Sequence, residues 1–147
     1  MKTIYMDVCA LCRPYENQAY TRIHLETTAV KLIIRAVEKG VYSMIYSPIH
    51  EMEISAISDD VEREDLLYLV DKIAVRMEQA GSHARKRAEN FVNLGFGIAD
   101  AAHLAYAEKA QAFFISCDDK LIKKCSNSDI KIWAGNPVMF CEKEDIK

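Results

Sequence analysis

The chain has 147 residues, which at roughly 100–200 residues per domain predicts one domain over 1–147. Hydrophobic residues make up 50% and charged residues 28%, the balance of a folded globular chain rather than a disordered one. Nineteen basic against 22 acidic side chains leave a net charge of −3, which by itself gives no general attraction for nucleic acid. The longest apolar runs, such as Val8–Cys12 and Leu66–Val70, are five residues, against about 20 for a membrane span, so no membrane partner is expected. Asp7 stands where a signal peptide would need its apolar stretch, so a cytoplasmic protein is expected. Five cysteines without framework spacing then read as reduced thiols. Cys9 and Cys12 form a CxxC, but Cys117 and Cys125 are too far apart to supply the second pair of a zinc site. Small buried residues are the simpler reading.

In chain order, Lys2–Met6 is short, apolar and β-compatible, a strand ending at Asp7, and Arg13-Pro14 breaks the chain into a loop. From Thr21 to Lys39, Val30, Ile33, Ile34 and Val37 keep the helical period until Gly40 stops it. Val41–Tyr46 reads as a second strand. Ser47 then caps a helix with Pro48 at its first position, and that helix carries Glu51 and Glu53. Ser58 caps the next helix, whose stripe of Leu66, Leu69, Val70, Ile73, Ala74 and Met77 continues toward Gly81. Ser82 opens a basic helix with His83, Arg85, Lys86 and Arg87, and Gly95 and Gly97 precede a helix over Ile98–Ala110. Ala112–Ser116 is a third strand, Asp119–Lys124 a short helix and Ile130–Trp133 a fourth strand. Pro137–Cys141 adds an edge strand before a frayed end over Glu142–Lys147. Strands separated by helices imply an α/β fold, a parallel sheet covered on both faces. The several helices between the second and third strands speak against a receiver or flavodoxin-like alternation.

Ligands of open α/β sheets bind beyond the carboxyl ends of the strands. Asp7 closes the first strand, Asp118 follows the third by two residues, and Glu51 and Glu53 lie just beyond the second. Asp100 sits in the first turn of a helix leading back to the sheet, so acids from four distant segments can meet at one edge. Gathered carboxylates repel unless a cation offsets them, and an all-oxygen set suits Mg²⁺ or Mn²⁺. Such a site can acidify water and hold a phosphate oxygen. Each acid also has a plainer reading as a helix cap or first-turn carboxylate, except Asp7, because Asp is depleted in strands.

The segments IYMDVCALCRPYENQ, SPIHEMEI, GIADAAHLAYAEKA, FFISCDDKLIKK and NPVMF resemble successive motifs of PIN-domain nucleases, from Ile4 to about Phe140. The chain is most similar to a subgroup with an Arg-Pro loop after the first Asp, and the wider relatives include the toxins of VapBC-type toxin–antitoxin pairs. The resemblance implies a PIN-like three-layer α/β/α sandwich around a central, mainly parallel sheet of four to five strands. It also implies a Mg²⁺- or Mn²⁺-dependent ribonuclease that leaves a 5′-phosphate and a 3′-hydroxyl on RNA, an antitoxin protein as partner, and a homodimer. Residue by residue, Asp7 matches the acid closing the first strand, and Glu53 fits the family's helix Glu better than Glu51 does. Asp100 matches the third acid and Asp118 the fourth. Asp7, Asp100 and Asp118 would hold the metal, with Glu53 completing the catalytic pocket. Ser116 takes the family's hydroxyl position and would orient Asp118 or a water, with Asp119 beside it as a supporting ligand. Cys9 departs from the family, where many relatives have Asn, and so puts in doubt a polar contact from that position.

Phosphate binding needs cations, and Arg13, the run Arg85-Lys86-Arg87 with His83, and Lys120, Lys123 and Lys124 are the candidates. A solvated helix face is the plainer reading of each run. His24, His50 and His103 lack a Ser or Cys partner in any nucleophile motif; His103 shares a helix face with Asp100, and a packed or surface role suits it better than substrate contact. The alternative reading is a catalytically silent PIN-like module that binds RNA or a protein. A haloacid-dehalogenase-type phosphatase would need a second Asp two residues after Asp7, where Cys9 stands.

Overall fold

The computed structural model describes residues 1–78 and 81–147. Five strands form one sheet: β1 (Lys2–Met6), β2 (Tyr42–Tyr46), β3 (Ala74–Arg76), β4 (Phe113–Ile115) and β5 (Ala134–Gly135). Their spatial order is β3-β2-β1-β4-β5, and every pairing is parallel. The helices are α1 (Val8–Leu11), α2 (Thr21–Glu38), α3 (Pro48–Ser55), α4 (Asp60–Ile73), α5 (Ser82–Asn93), α6 (Ile98–Lys109), α7 (Asp119–Ser126) and α8 (Pro137–Glu144). The α/β sandwich expected from the sequence is therefore present, with an all-parallel sheet.

The period-2 alternation of β1 sorts the two layers. Ile4 and Met6 face a core built with Val30 and Ile33 of α2, Leu66 and Val70 of α4, and Phe140 of α8. Tyr5, between them, faces the opposite core with Phe91 of α5, Leu104 of α6 and Leu121 of α7. The chain winds outward from β1 through β2 to β3, then returns to the other side of β1 for β4 and β5. Connections leaving β1 and β4 thus run to opposite faces, which makes their carboxyl ends the topological switch point of the sheet. Asp7 and Asp118 both stand there.

Several boundaries differ from expectation. The helix capped near Ser58 is capped by Asp59, whose side chain accepts from the backbone of Glu62, and it ends at Ile73. Ala74–Arg76 extends instead as β3 and pairs with Met44–Tyr46; positions 79 and 80 of the expected helix lie outside the described residues. A hydrophobic stripe cannot report this break, because Ala74 and Val75 suit either state until the edge of β2 offers hydrogen-bond partners. The fourth expected strand shifts from Ile130–Trp133 to Ala134–Gly135. The expected edge strand Pro137–Cys141 is helix α8, which Asn136 caps at Met139 with Pro137 in its first turn. The end expected to fray is docked: Glu144 accepts from Lys2 Nζ at 2.9 Å and from the Tyr42 hydroxyl at 2.9 Å.

Candidate active site

Asp7 lies at the end of the central strand, and its backbone N–H donates to Ile115 of β4 at 3.0 Å. Its carboxylate caps α1, accepting from Ala10 N at 3.0 Å, and only 4% of the residue is exposed. No ion pair reaches it among the described residues. Burial pushes its pKa from 3.8 up to about 6, against the pull of the Ser116 hydroxyl, the Ala10 N–H and His103, with Asp100 adding to the push. Asp118 caps α7, accepting from Lys120 N at 3.0 Å and Leu121 N at 3.2 Å. Ser116, fully buried, accepts from Asp118 N at 3.1 Å, and its hydroxyl lowers the proton affinity of Asp7. The same hydroxyl thus meets the Asp118 backbone and acts on Asp7.

Asp100, half-buried in the first turn of α6, has its proton affinity raised by burial and then by Asp118 and Glu53. Asp7, Glu53, Asp100 and Asp118 therefore share one field across four segments. Glu51 does not join them: Arg76 of β3 holds it, with Nε–Oε1 at 2.6 Å. Asp119 also faces elsewhere, in the fork of Arg22, which keeps its pKa below the ordinary carboxylate range. Arg13 is committed to Glu16 at 2.6 Å and to the buried Glu26 at 3.1 Å. Arg87, expected as an RNA contact, is held by Glu108 at 2.7 Å and by the Asp129 carbonyl at 3.0 Å. Arg85 and Lys86 remain exposed, on the grooves that α5 forms with α6.

Behind Glu53 lies a buried polar cluster. His103 Nε2 donates to Glu53, while its Nδ1 meets the Tyr5 hydroxyl, 2.7 Å from Ser47 Oγ. His50 accepts from Ser47 N at Nδ1, which fixes the proton on Nε2 for the Met6 carbonyl at 2.7 Å. Burial depresses its pKa to about 3, so it stays neutral. The sequence places His103 on the face of Asp100, but nothing in it signals that Tyr5 and Ser47 would converge there. Cys9 is exposed and Cys12 half-buried, rather than both buried as expected, and their thiols are pushed up to about 12, first by the desolvation each does undergo, so the CxxC lacks the thiolate character of redox chemistry.

The four acids offer a hard divalent cation only oxygen donors, and the buried Asp7 has no ion-pair partner among the described residues. The donor chemistry therefore fits Mg²⁺ or Mn²⁺. Among the described residues, no three His, Cys, Asp or Glu side chains are already drawn together at metal-ligand spacing. No helix among the described residues is long and apolar enough to cross a membrane.

No family model and no curated protein matches the chain. Solved structures do. The chain resembles FitAcB from Neisseria gonorrhoeae with a TM-score of 0.54 and 11% identity, covering 91% of this chain and 97% of that one. It also resembles FitAB bound to an IR36 DNA fragment, with a TM-score of 0.55 and 13% identity over 92% and 95% of the two chains. At such identities the likeness is one of fold.

Proposed function

We propose that the chain is a divalent-metal-dependent endoribonuclease and the toxin of a toxin–antitoxin pair. The observation that carries this reading is Asp7, a buried carboxylate with no ion pair among the described residues, at the switch point of the sheet and with its proton affinity raised by burial and by Asp100. The sequence resemblance to PIN nucleases, followed through the motifs at Asp7, Glu53, Asp100 and Asp118, supports it. So does the fold likeness to FitAcB and FitAB. In this reading Asp7, Asp100 and Asp118 hold Mg²⁺ or Mn²⁺, and Glu53 completes the pocket. When bound, such a cation supplies positive charge against the scissile phosphate and lowers the proton affinity of water at the site. Ser116 keeps Asp7 and Asp118 in register, and the caps that both acids form fix one oxygen of each to the backbone. Arg85 and Lys86 draw in the RNA backbone. The partners proposed are an RNA substrate, an antitoxin and a second copy of the chain.

The test is cleavage of mixed single-stranded RNA with Mn²⁺ or EDTA, by wild type and Asp7→Asn side by side. Metal-dependent cleavage lost in the variant supports the reading; equal activity of the two removes Asp7 and the mechanism with it. A second reading, a silent module that binds RNA or protein, is favoured by one observation: the acids are not drawn together at metal-ligand spacing. A silent module shows no Mn²⁺-dependent thermal shift, whereas the nuclease does.

A further inference from the structure

We infer that His103, fixed by Tyr5 and Ser47, is a positioning residue that sets the Glu53 carboxylate in the acidic pocket. The inference rests on the nuclease reading for its consequence, but its geometry stands on separate observations. Tyr5, Ser47 and His103 are each no more than 2% exposed, inside a core otherwise filled by Phe91, Leu104 and Phe114. Three polar side chains in such a place need partners, because an unsatisfied buried donor or acceptor costs about 1–3 kcal/mol. Here every one is satisfied in series: Ser47 Oγ lies 2.7 Å from the Tyr5 hydroxyl, which lies 2.5 Å from His103 Nδ1, and Nε2 meets Glu53.

The series has a direction. A carboxylate only accepts, so His103 Nε2 donates to it; in the neutral imidazole this leaves Nδ1 to accept from Tyr5, whose oxygen accepts from Ser47. Ring contacts fix the imidazole plane as well, with Tyr5 at 5.4 Å and His50 at 5.0 Å, both edge-on. Glu53 is the end of the series that reaches solvent, with 38% of its side chain exposed. Without a fixed donor, its three side-chain torsions would sweep it across the mouth of the site at little energetic cost. An apolar trio would fill this core equally well. The polar one adds an anchored Nε2–H aimed at the pocket, as histidine-orienting partners do beside metal sites.

The test uses the full chain with His103→Leu, His103→Gln and Tyr5→Phe, read in two ways. In Mn²⁺-dependent RNA cleavage, His103→Leu should lower kcat about 10–100-fold with KM little changed. His103→Gln, whose amide N–H can reach the same carboxylate, should recover most of that loss, and Tyr5→Phe should fall between the two. In the metal-free protein, side-chain ¹⁵N–¹H NMR should show His103 with its proton on Nε2, and Glu53→Gln and Tyr5→Phe should each shift that resonance. Folded His103→Leu and His103→Gln proteins with wild-type kcat would overturn the inference, as would a His103 resonance indifferent to Glu53→Gln. Wild type that cleaves no RNA overturns the nuclease reading, while the NMR arm still decides whether His103 holds Glu53.

Discussion

Replacing Asp7 by Asn should make the metal-free protein more stable at pH 8 although it removes a central acid. The folded pKa of Asp7 lies at about 6 instead of 3.8, with burial as the first cause. At roughly 1.4 kcal/mol per unit, the charged form costs the native state about 3 kcal/mol above that pH. Asn keeps the cap on Ala10 but offers one acceptor oxygen where Asp offers two, so losing the Ser116 contact takes back about 1 kcal/mol. The net gain of about 2 kcal/mol corresponds to roughly 4–8 °C in Tm for a chain of this size. Because the folded pKa of this acid is raised, its penalty is complete above about 6 and disappears as pH falls toward 3.8, where the native state has already taken up the proton. The advantage of the variant should therefore shrink through pH 6–4 and end as a small deficit. His50 acts in the opposite sense: its neutral form adds stability present above its unfolded value of 6.5 and lost as pH falls toward about 3. That loss is common to both proteins and cancels in their difference. Thermal melts by circular dichroism in EDTA at pH 8, 6 and 4 measure this difference. A variant that melts no higher than wild type at pH 8, or a gap constant with pH, refutes the reasoning.

Mn²⁺ at about 100 times its dissociation constant should add roughly 2.7 kcal/mol to wild type and far less to Asp7→Asn or Asp100→Asn, read from melts across a metal titration. Glu51→Gln should leave RNA cleavage near wild type, since Arg76 already holds that carboxylate, whereas Glu53→Gln should depress it; the opposite order in parallel rate measurements would exchange the two residues. Arg87→Gln should cost about 2 kcal/mol in denaturant melts by stranding the nearly buried Glu108. Arg85→Gln with Lys86→Gln should leave stability alone and flatten the salt dependence of RNA binding; an unchanged slope returns this helix face to plain solvation.

The fold was legible where a pattern has only one physical solution. Ser47-Pro48 reads as a helix start and is one, and the alternation within β1 sets Ile4 and Met6 against Tyr5 across the sheet. It was illegible where partners decide. Ala74–Arg76 becomes β3 because Tyr46 accepts from Met77 N at 2.7 Å and extends the ladder beyond Arg76, a long-range event without a local signal. Asn136-Pro137 carries the same capping signal as Ser47-Pro48, and the apolar run Val138–Cys141 that follows it is helix α8 rather than an edge strand. There the helix signal is local, since the cap and the first-turn proline stand in the sequence itself.

The acidic site divides along the same line. Strand-end position brings Asp7 and Asp118 to the crevice, because topology alone carries a residue at the end of β1 or β4 there. Charge type alone does not say which neighbour an acid will face. Glu51 and Asp119 have the same chemistry as Glu53 and Asp118, one or two positions away, but Arg76 and Arg22 draw them outward. Arg13 and Arg87 are likewise engaged by acids, Glu26 and Glu108. What separates the acids of the proposed site from their neighbours is therefore the arginine partners of the latter. Glu51 and Asp119 are tied to Arg76 and Arg22, whereas Asp7 and Asp100 keep a proton affinity raised first by burial and then by neighbouring acids. Glu53 is the exception that sharpens the rule: its partner is a buried histidine, whose orientation is set from beneath by Tyr5. In the proposed site Glu53 is thus the acid whose carboxylate is held by a fixed donor, while Asp7, Asp100 and Asp118 have no arginine partner among the described residues.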